Sequence, residues 1–437
     1  LCDQIFQDLP QGSNRLDHNP LLRRAQSTTY THRLRTMESN AQERLKEGQI
    51  VQVQIGPVAH GGHFVARYNG QVIFVRHGIT DELVNIKITS VSSKIAHADV
   101  VEVLQPATSR VSPPCQYAGS CGGCDFQHIN ISTQRELKAE IIKEQFLRIG
   151  KMDLVQLGFN LKVSAVEPAD GLHWRTRMDF AVSANGQIGF YGARSNDVVE
   201  IKDCLIADKR MNVSELSSRQ WKSDARVEVA VSSTNEVSVM RSGRSISGPT
   251  QIVEQVGGNS FKISPSAFWQ SHRSAPVELV KAALSQLGVK PADHVLDLYS
   301  GVGLFAAAIL KEISERGFVT LIESDKTAVA DARRIFLNKE NVKIFQGLVA
   351  QQLPIVKRAD LILLDPPRTG AGDVVIKQMV KFKPRKIVYV ACDPAALARD
   401  AKTLADLGYK LDHIEAFDLF PMTQHIECVA GFSPANR

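Results

Sequence analysis

The sequence predicts an α/β protein. A Rossmann-like parallel sheet is expected at the C-terminus, preceded by an OB-like β-barrel and a central α+β region carrying a metal cluster. Three observations predict it. Short Val- and Ile-rich runs crowd residues 48–106, with Asn, Asp and Gly turns between them. Three cysteines fall in "CQYAGSCGGC", residues 115–124. From about residue 270, apolar runs alternate with helix-like segments.

The 437 residues suggest two to four domains at roughly 100–200 residues each. The chain is 43% hydrophobic and 22% charged, and no run approaches the ~18 apolar residues of a membrane span. Nothing reads as a signal peptide, so a cytoplasmic monomer without membrane attachment is expected. Thiols stay reduced there, and the seven cysteines point to metal or catalysis rather than disulfides. The net charge of +6 permits a polyanionic partner. Residues 1–47 read as a disordered tail. Translation is expected to begin at Met37, the first methionine.

Residues 48–107 carry the expected barrel, with "YNGQ" as a hairpin turn at Asn69-Gly70. OB-type barrels often bind nucleic acid in a sequence-tolerant way. Residues 108–260 form the expected central region. Its helix, "STQRELKAEIIKEQFLRIG", has a capping box at Thr133 and Glu136 and a stop at Gly150. Beyond it lie mostly antiparallel strands, with a turn at Asn185-Gly186. Residues 261–437 carry "HVLDLYSG", "GFVTLIESD", "NVKIFQG", "DLILLDPP" and "KIVYVACDP". Strands apolar on both faces belong to a parallel sheet covered by helices. "HIEAFDLFP" and "HIECVAGF" are expected to end that sheet as an antiparallel pair.

"LDLYSGVGLFA" runs from strand to helix, and Gly301 and Gly303 let the backbone approach a ligand at the strand end. Glu323, twenty residues past Gly303, is placed to hold ribose hydroxyls. This pattern suits a nicotinamide dinucleotide as well as S-adenosylmethionine, and its bland reading is a tight turn. The segments "LLDPPRTG", "YVACDPAALARD" and "FPMTQHIECV" decide between the two. They deliver Asp365, Arg368, Cys392 and Glu427 to one crevice. A nicotinamide enzyme has no need of a thiol and two carboxylates there; a base-modifying methyltransferase does.

That order of motifs resembles the bacterial RNA (uracil-5-)-methyltransferase family. The likeness extends to the front of the chain, where it implies a TRAM-type barrel, a C-x5-C-x2-C loop and a distant C-x-L. It implies methylation of uracil carbon 5 from S-adenosylmethionine, through a cysteine adduct at carbon 6. Cys392 falls on the family's nucleophile and Glu427 on its proton-abstracting glutamate. Gln270, Asp297, Tyr299 and Asp365 join Gly301, Gly303 and Glu323 around the cofactor. Asp393 stands where the family usually has Asn, and Leu304 and Leu348 replace polar residues near the cofactor. Cys428, one residue past Glu427, should face the core.

The fourth partner of Cys115, Cys121 and Cys124 is expected to be Cys204, because Cys392 and Cys428 belong to the sheet and Cys2 to the tail. Four thiolates hold zinc or an iron–sulfur cluster, and His128 could complete a zinc site instead. The resemblance favours a structural 4Fe–4S cluster. It also implies 23S ribosomal RNA as substrate, since barrel plus cluster is the mark of that branch. Transfer RNA, a silent RNA-binding assembly factor and a cytosine-5 enzyme are the alternatives. Trp174, Arg175, Arg177, Phe190, Tyr191 and Arg194 are expected to face single-stranded RNA by stacking and phosphate contact, with Arg368 on a phosphate or on Asp365. The barrel is expected to hold RNA without taking part in the chemistry.

Overall fold

The computed structural model describes residues 44–435. The expectations for Met37 and for a disordered tail up to residue 43 lie outside the described residues. Leu45 is already buried in a core.

The first strands are β1 (Ile50–Gln54), β2 (Phe64–Tyr68), β3 (Gln71–Arg76), β4 (Leu83–Val91) and β5 (Ile95–Gln105). They form a sheet in the order β1-β4-β5-β3-β2. Its two ends meet just past β1, where Gly56 N–H donates to the Val65 carbonyl (2.8 Å) and Val65 N–H to the Pro57 carbonyl (2.9 Å). A Cβ on Gly56 would stand 2.8 Å from that Val65 oxygen, so the approach requires glycine. Asn69 and Gly70 both take positive φ, as the Asn-Gly hairpin signal predicts.

Glu82, fully buried, ties the barrel to the segment that follows. Its carboxylate accepts from Arg110 Nε (2.6 Å) and Nη2 (2.7 Å). Next comes α1 (Ile131–Arg148). The expected capping box is corrected here: the N-cap is Asn130, whose side chain accepts from Thr133 N–H (2.9 Å), so the helix starts before Thr133. Gly150 does follow the helix, where a Cβ would press on the Phe146 and Ala398 carbonyls.

β6 (Val163–Ala165) leaves the central region and pairs elsewhere. The central antiparallel sheet consists of β7 (Arg177–Val182), β8 (Ile188–Tyr191), β9 (Val198–Glu200), β10 (Arg226–Val231), β11 (Val237–Arg241) and β12 (Arg244–Ser247). Its order is β12-β11-β10-β7-β8-β9, and α2 (Val213–Ser218) contributes to the same core. A hairpin of β13 (Ile252–Val256) and β14 (Asn259–Ile263) leads to α3 (Ala275–Leu287).

The C-terminal sheet contains β15 (His294–Leu298), β16 (Phe318–Glu323), β17 (Val342–Gln346), β18 (Leu361–Leu364) and β19 (Lys386–Ala391), all parallel. Between them run α4 (Leu304–Ile309), α5 (Lys326–Ile335), α6 (Val349–Gln352) and α7 (Gly372–Met379); α8 (Pro394–Asp406) follows β19. Alternate side chains enter different cores. Leu361 and Leu363 join one buried cluster, Ile362 and Leu364 the other. β20 (Tyr409–Asp418) and β21 (Glu427–Pro434) run antiparallel to each other. They do not end the sheet as expected, because β6 adds a parallel strand outside β20, giving the order β17-β16-β15-β18-β19-β21-β20-β6.

The barrel, α1 and one face of this sheet share a contiguous apolar cluster. Lys138 of α1, fully buried, donates to Asp418 (2.6 Å) and to the Phe420 carbonyl (3.0 Å), and Arg135 Nε reaches Asp418 at 3.3 Å. Removing one member of such a pair strands a buried charge. Lys138→Met is expected to cost about 3 kcal/mol in denaturant unfolding, and Lys138→Met/Asp418→Asn less than that. A double variant less stable than the single one would show that the charge pairing is not what matters.

Candidate active site

The chain passes from β15 outward to β17 and returns at β18, beside β15. Strand ends flanking such a reversal open onto a crevice. β21 runs antiparallel to β19, with Ala391 opposite Cys428. The residues one step outward, Cys392 and Glu427, therefore share the edge at which β19 ends and β21 begins. Asp365 follows β18 at the same edge, its N–H donating to the Leu298 carbonyl (3.2 Å). Glu427 is 3% exposed, so it is no surface carboxylate. Cys428 is buried in the core, as alternation predicts.

Burial raises the Cys392 thiol well above its ordinary value, and the Glu427 and Asp365 carboxylates push it further the same way, against Arg368. Burial also raises Asp365 to about 7. Gln270, itself buried, donates to Asp365 through Nε2 (3.3 Å). The Arg368 guanidinium lies against the His425 ring at 3.3 Å. Burial, with Arg368 next, pushes His425 down to about 3 and keeps it neutral. Pro366, Pro367, Arg368, Tyr389, Cys392 and Asp393 line a shallow cleft.

The loop after β15 is shaped for a ligand. Tyr299, Gly301 and Gly303 all take positive φ. A Cβ on Gly303 would overlap the Phe336 ring, whereas one on Gly301 would meet open space. Glu323 accepts from Gly301 N–H (2.9 Å) and, with its other oxygen, from Ser324 and Asp325 N–H. Asp297 is fully buried; Oδ2 accepts from Ala306 N–H (3.0 Å). Its Oδ1 and the nearby Ser300 Oγ are buried without a protein partner. Burial holds the Asp297 carboxyl well above the usual range, and Asp365 and Glu323 add to the shift. Unsatisfied oxygens among buried carboxylates fit a ligand that brings donors and positive charge. Burial raises the Tyr299 hydroxyl to about 12, keeping it neutral. Leu304 is buried and Leu348 exposed. Phe268, two residues before Gln270, is 53% exposed. Only its exposure marks this ring out; nothing in "SAFWQSH" does.

Cys115, Cys121, Cys124 and Cys204 line one cavity. Gly122 N–H donates to the Tyr191 carbonyl (3.0 Å) and Lys202 N–H to the Tyr117 hydroxyl (2.9 Å), which bring the cysteine loop and the Cys204 segment together. Burial raises Cys204 to about 11 and Cys124 further. Among the described residues, no three Cys, His, Asp or Glu side chains converge on a point that could hold a single ion. His128 is not at this cavity. Its Nε2 is at 3.1 Å from the Gly78 carbonyl and its ring packs against His77.

The residues expected to face RNA divide. Trp174 is 1% exposed, stacked on His272 and packed edge-on against Phe420, so its ring is not available to a base. Arg177 lies in the interior, donating to the Pro265 and Ala267 carbonyls and pairing with Glu254 (3.4 Å). Arg175 lines the cysteine cavity and donates to the Arg177 carbonyl, and Phe190 tilts onto Phe180. Tyr191 and Arg194 are exposed, and Arg194 reaches His63 of the barrel at 3.0 Å. Asp393 does two things at once: Oδ1 caps α8 at Ala396 N–H (2.8 Å), and Oδ2 lies 3.0 Å from His60 Nε2.

Residues 342–432 match the family model described as tRNA (uracil-5-)-methyltransferase, and residues 44–101 that of the TRAM domain. A protein of Streptomyces avermitilis described as an uncharacterized RNA methyltransferase is 40% identical, with 89% of this chain and 99% of that one covered. One of Thermotoga maritima, described likewise, is 30% identical over 89% of this chain and 100% of its own. Among solved structures, the tRNA (uracil-54, C5)-methyltransferase of Pyrococcus abyssi, in complex with S-adenosyl-L-homocysteine, superposes with a TM-score of 0.65. It is 24% identical, with 87% of this chain and 99% of that one covered, and shares the fold.

Burial first, and then the Glu427 and Asp365 carboxylates, disfavour the Cys392 thiolate. Alkylation of Cys392 at pH 8, followed by peptide mass mapping, is expected to be slow in the native chain. It should speed several-fold in Glu427→Gln and in Asp365→Asn, since each unit of lowered thiol pKa gives up to ~10-fold more thiolate. Unchanged rates in both variants would show that burial alone sets the thiol.

Proposed function

The chain belongs to the bacterial RNA (uracil-5-)-methyltransferase family, and from that premise we propose that it methylates carbon 5 of a uridine in 23S ribosomal RNA through a transient bond from Cys392 to carbon 6. The observation that carries this reading is the meeting of Cys392, Asp365 and Glu427 at one sheet edge. In the division of labour we propose, residues 48–107 and 108–260 bind RNA and residues 261–437 carry the chemistry.

S-adenosylmethionine supplies an electrophilic methyl group on a positively charged sulfonium. Gln270, Asp297, Tyr299, Gly301, Gly303, Glu323 and Asp365 would hold it, and the buried carboxylates favour its charge over a neutral ligand. Cys392 Sγ forms a bond to carbon 6 as its thiol proton leaves. Asp365, with a pKa near neutrality, is suited to take that proton. The carbon 5–carbon 6 electron pair is released toward carbon 5, which takes the methyl. Glu427 then removes the proton from carbon 5. The freed pair restores the ring double bond and expels Cys392 as thiolate. The target uracil must leave its stack to reach the edge. Phe268 is exposed beside this site and offers a ring for it, while Tyr191 and Arg194 face the strand.

Cys115, Cys121, Cys124 and Cys204 are read as the ligands of a structural 4Fe–4S cluster. What supports this reading is that the four sulfurs line one cavity, and four thiolates can hold such a cluster. Anaerobically purified protein is expected to carry about four irons per chain. Cys204→Ser should lose iron and stability together. One bound zinc and no iron would overturn the assignment.

Cys392→Ala is expected to abolish methylation while changing RNA affinity by no more than a few fold. Glu427→Gln should accumulate a covalent RNA–protein band on a denaturing gel. Turnover by Cys392→Ala would reject the adduct mechanism. The ribosomal branch rests on barrel plus cluster. The solved tRNA (uracil-54, C5)-methyltransferase covers 87% of this chain, and transfer RNA is therefore the second reading. At fixed salt, 23S ribosomal RNA from cells lacking the gene is expected to accept methyl groups faster than transfer RNA from the same cells. The reverse order would establish the transfer-RNA reading. Methylation of neither would favour the silent RNA-binding factor.

A further inference from the structure

We propose that His60, on the loop between β1 and β2 of the barrel, is a positioning residue for the reaction: it grips Asp393 and so fixes the backbone that carries Cys392. This rests on the reading of Cys392 as the nucleophile.

The loop is tightly folded. Ala59 N–H donates to the His63 carbonyl (2.7 Å) and Gly62 N–H to the Ala59 carbonyl (3.1 Å), and Gly61 and Gly62 take positive φ. It touches the reaction edge at two places. His60 Nε2 stands 3.0 Å from Asp393 Oδ2, across 333 residues of sequence. Gly62 packs so closely on Gln424 that a Cβ would fall 2.6 Å from the Gln424 Cβ. Asp393 follows Cys392 directly, and Gln424 lies three residues before Glu427. One barrel loop therefore braces the turn that ends β19 and the segment that begins β21.

The chemistry of the pair supports a positioning role over a phosphate contact. The His60 side chain is 41% exposed, yet its Nε2 is committed to Asp393. The Asp393 hydrogen bond raises the His60 pKa against the pull of burial, with Glu144 adding and Arg368 opposing. Burial works to raise Asp393, but the His60 hydrogen bond and the N–H groups at the start of α8 bring it below the usual carboxylate range. Cys392 faces Glu427, Asp365, Arg368 and Asp393. A protonated His60 offsets the one of those carboxylates that adjoins the thiol in sequence. The ion pair is complete below the raised pKa of His60 and weakens as pH rises through it. The barrel is then part of the reaction edge, contrary to the expectation that the chemistry proceeds without it.

The test uses full-length protein and 23S ribosomal and transfer RNA from cells lacking the gene. His60→Ala is expected to lower kcat about tenfold, leaving KM for RNA and its salt dependence within twofold. His60→Gln, which keeps an N–H donor, should recover most of kcat near pH 8. The ratio of wild-type to His60→Gln kcat should fall toward one as pH rises through the His60 pKa. His60→Ala/Asp393→Asn should be no worse than His60→Ala. A raised KM with a flatter salt slope and intact kcat would make His60 an RNA contact and overturn the proposal. So would a pH-independent ratio, which remains measurable if His60→Ala fails to fold. Peptide mapping of the adduct with 5-fluorouridine RNA separates the two readings. An adduct on Cys392 that forms at the wild-type rate in His60→Ala refutes the positioning role alone. No adduct on Cys392 in the wild type refutes both.

Discussion

The buried carboxylates of Asp297 and Glu427 and the half-buried one of Asp365 lie along one edge of the C-terminal sheet. Keeping them there is the constraint on which the rest of the site depends. A carboxylate out of water favours its neutral form unless it finds donors or a cation. Asp297 meets half of its need at Ala306 and leaves one oxygen unsatisfied. Asp365 is held near neutrality, and the adjoining thiol is pushed up in turn. A resting edge with excess negative potential resists forming another anion. It becomes favourable when a cation arrives.

Such an edge needs bracing from outside the sheet. α1 supplies a buried ammonium to Asp418 at the end of β20. The barrel joins the same apolar cluster and ties the cysteine loop through Glu82 and Arg110. The cysteine cavity lies where that loop meets the central sheet at Tyr191 and Lys202. Each brace is a polar or charged contact set in apolar packing. Its strength depends on burial, and its direction on a few named atoms.

Much of this was legible in the sequence, for physical reasons. Five apolar runs became the five parallel strands; β15, β16, β18 and β19 are buried on both faces, while β17, at the end of the sheet, is only half-buried. The antiparallel β21 put Glu427 at the edge that receives Cys392, and period two sent Cys428 to the core. Other features depend on partners far along the chain. The tryptophan and arginines of "WRTR" read as an RNA surface, yet Trp174 and Arg177 are consumed by His272, Glu254 and the carbonyls of residues 265 and 267. β6 is three residues long and found its place only by pairing with β20. Asn130 displaced Thr133 as the cap, in keeping with the stronger N-cap preference of Asn over Thr. The contact from His60 to Asp393 spans 333 residues, and no periodicity reports it.

The placement of β6 has a consequence for synthesis. Val163–Ala165 pair with Ala416–Asp418, so roughly 250 residues separate the two halves of that ladder. At ~5–20 residues per second, the first half waits tens of seconds on the ribosome for its partner. Lys138 waits as long for Asp418, its charge still in water. The last stretch of chain to emerge closes the edge strand, pairs with Lys138 and brings Glu427 to the reaction edge together, so a nascent chain truncated before β20 lacks all three.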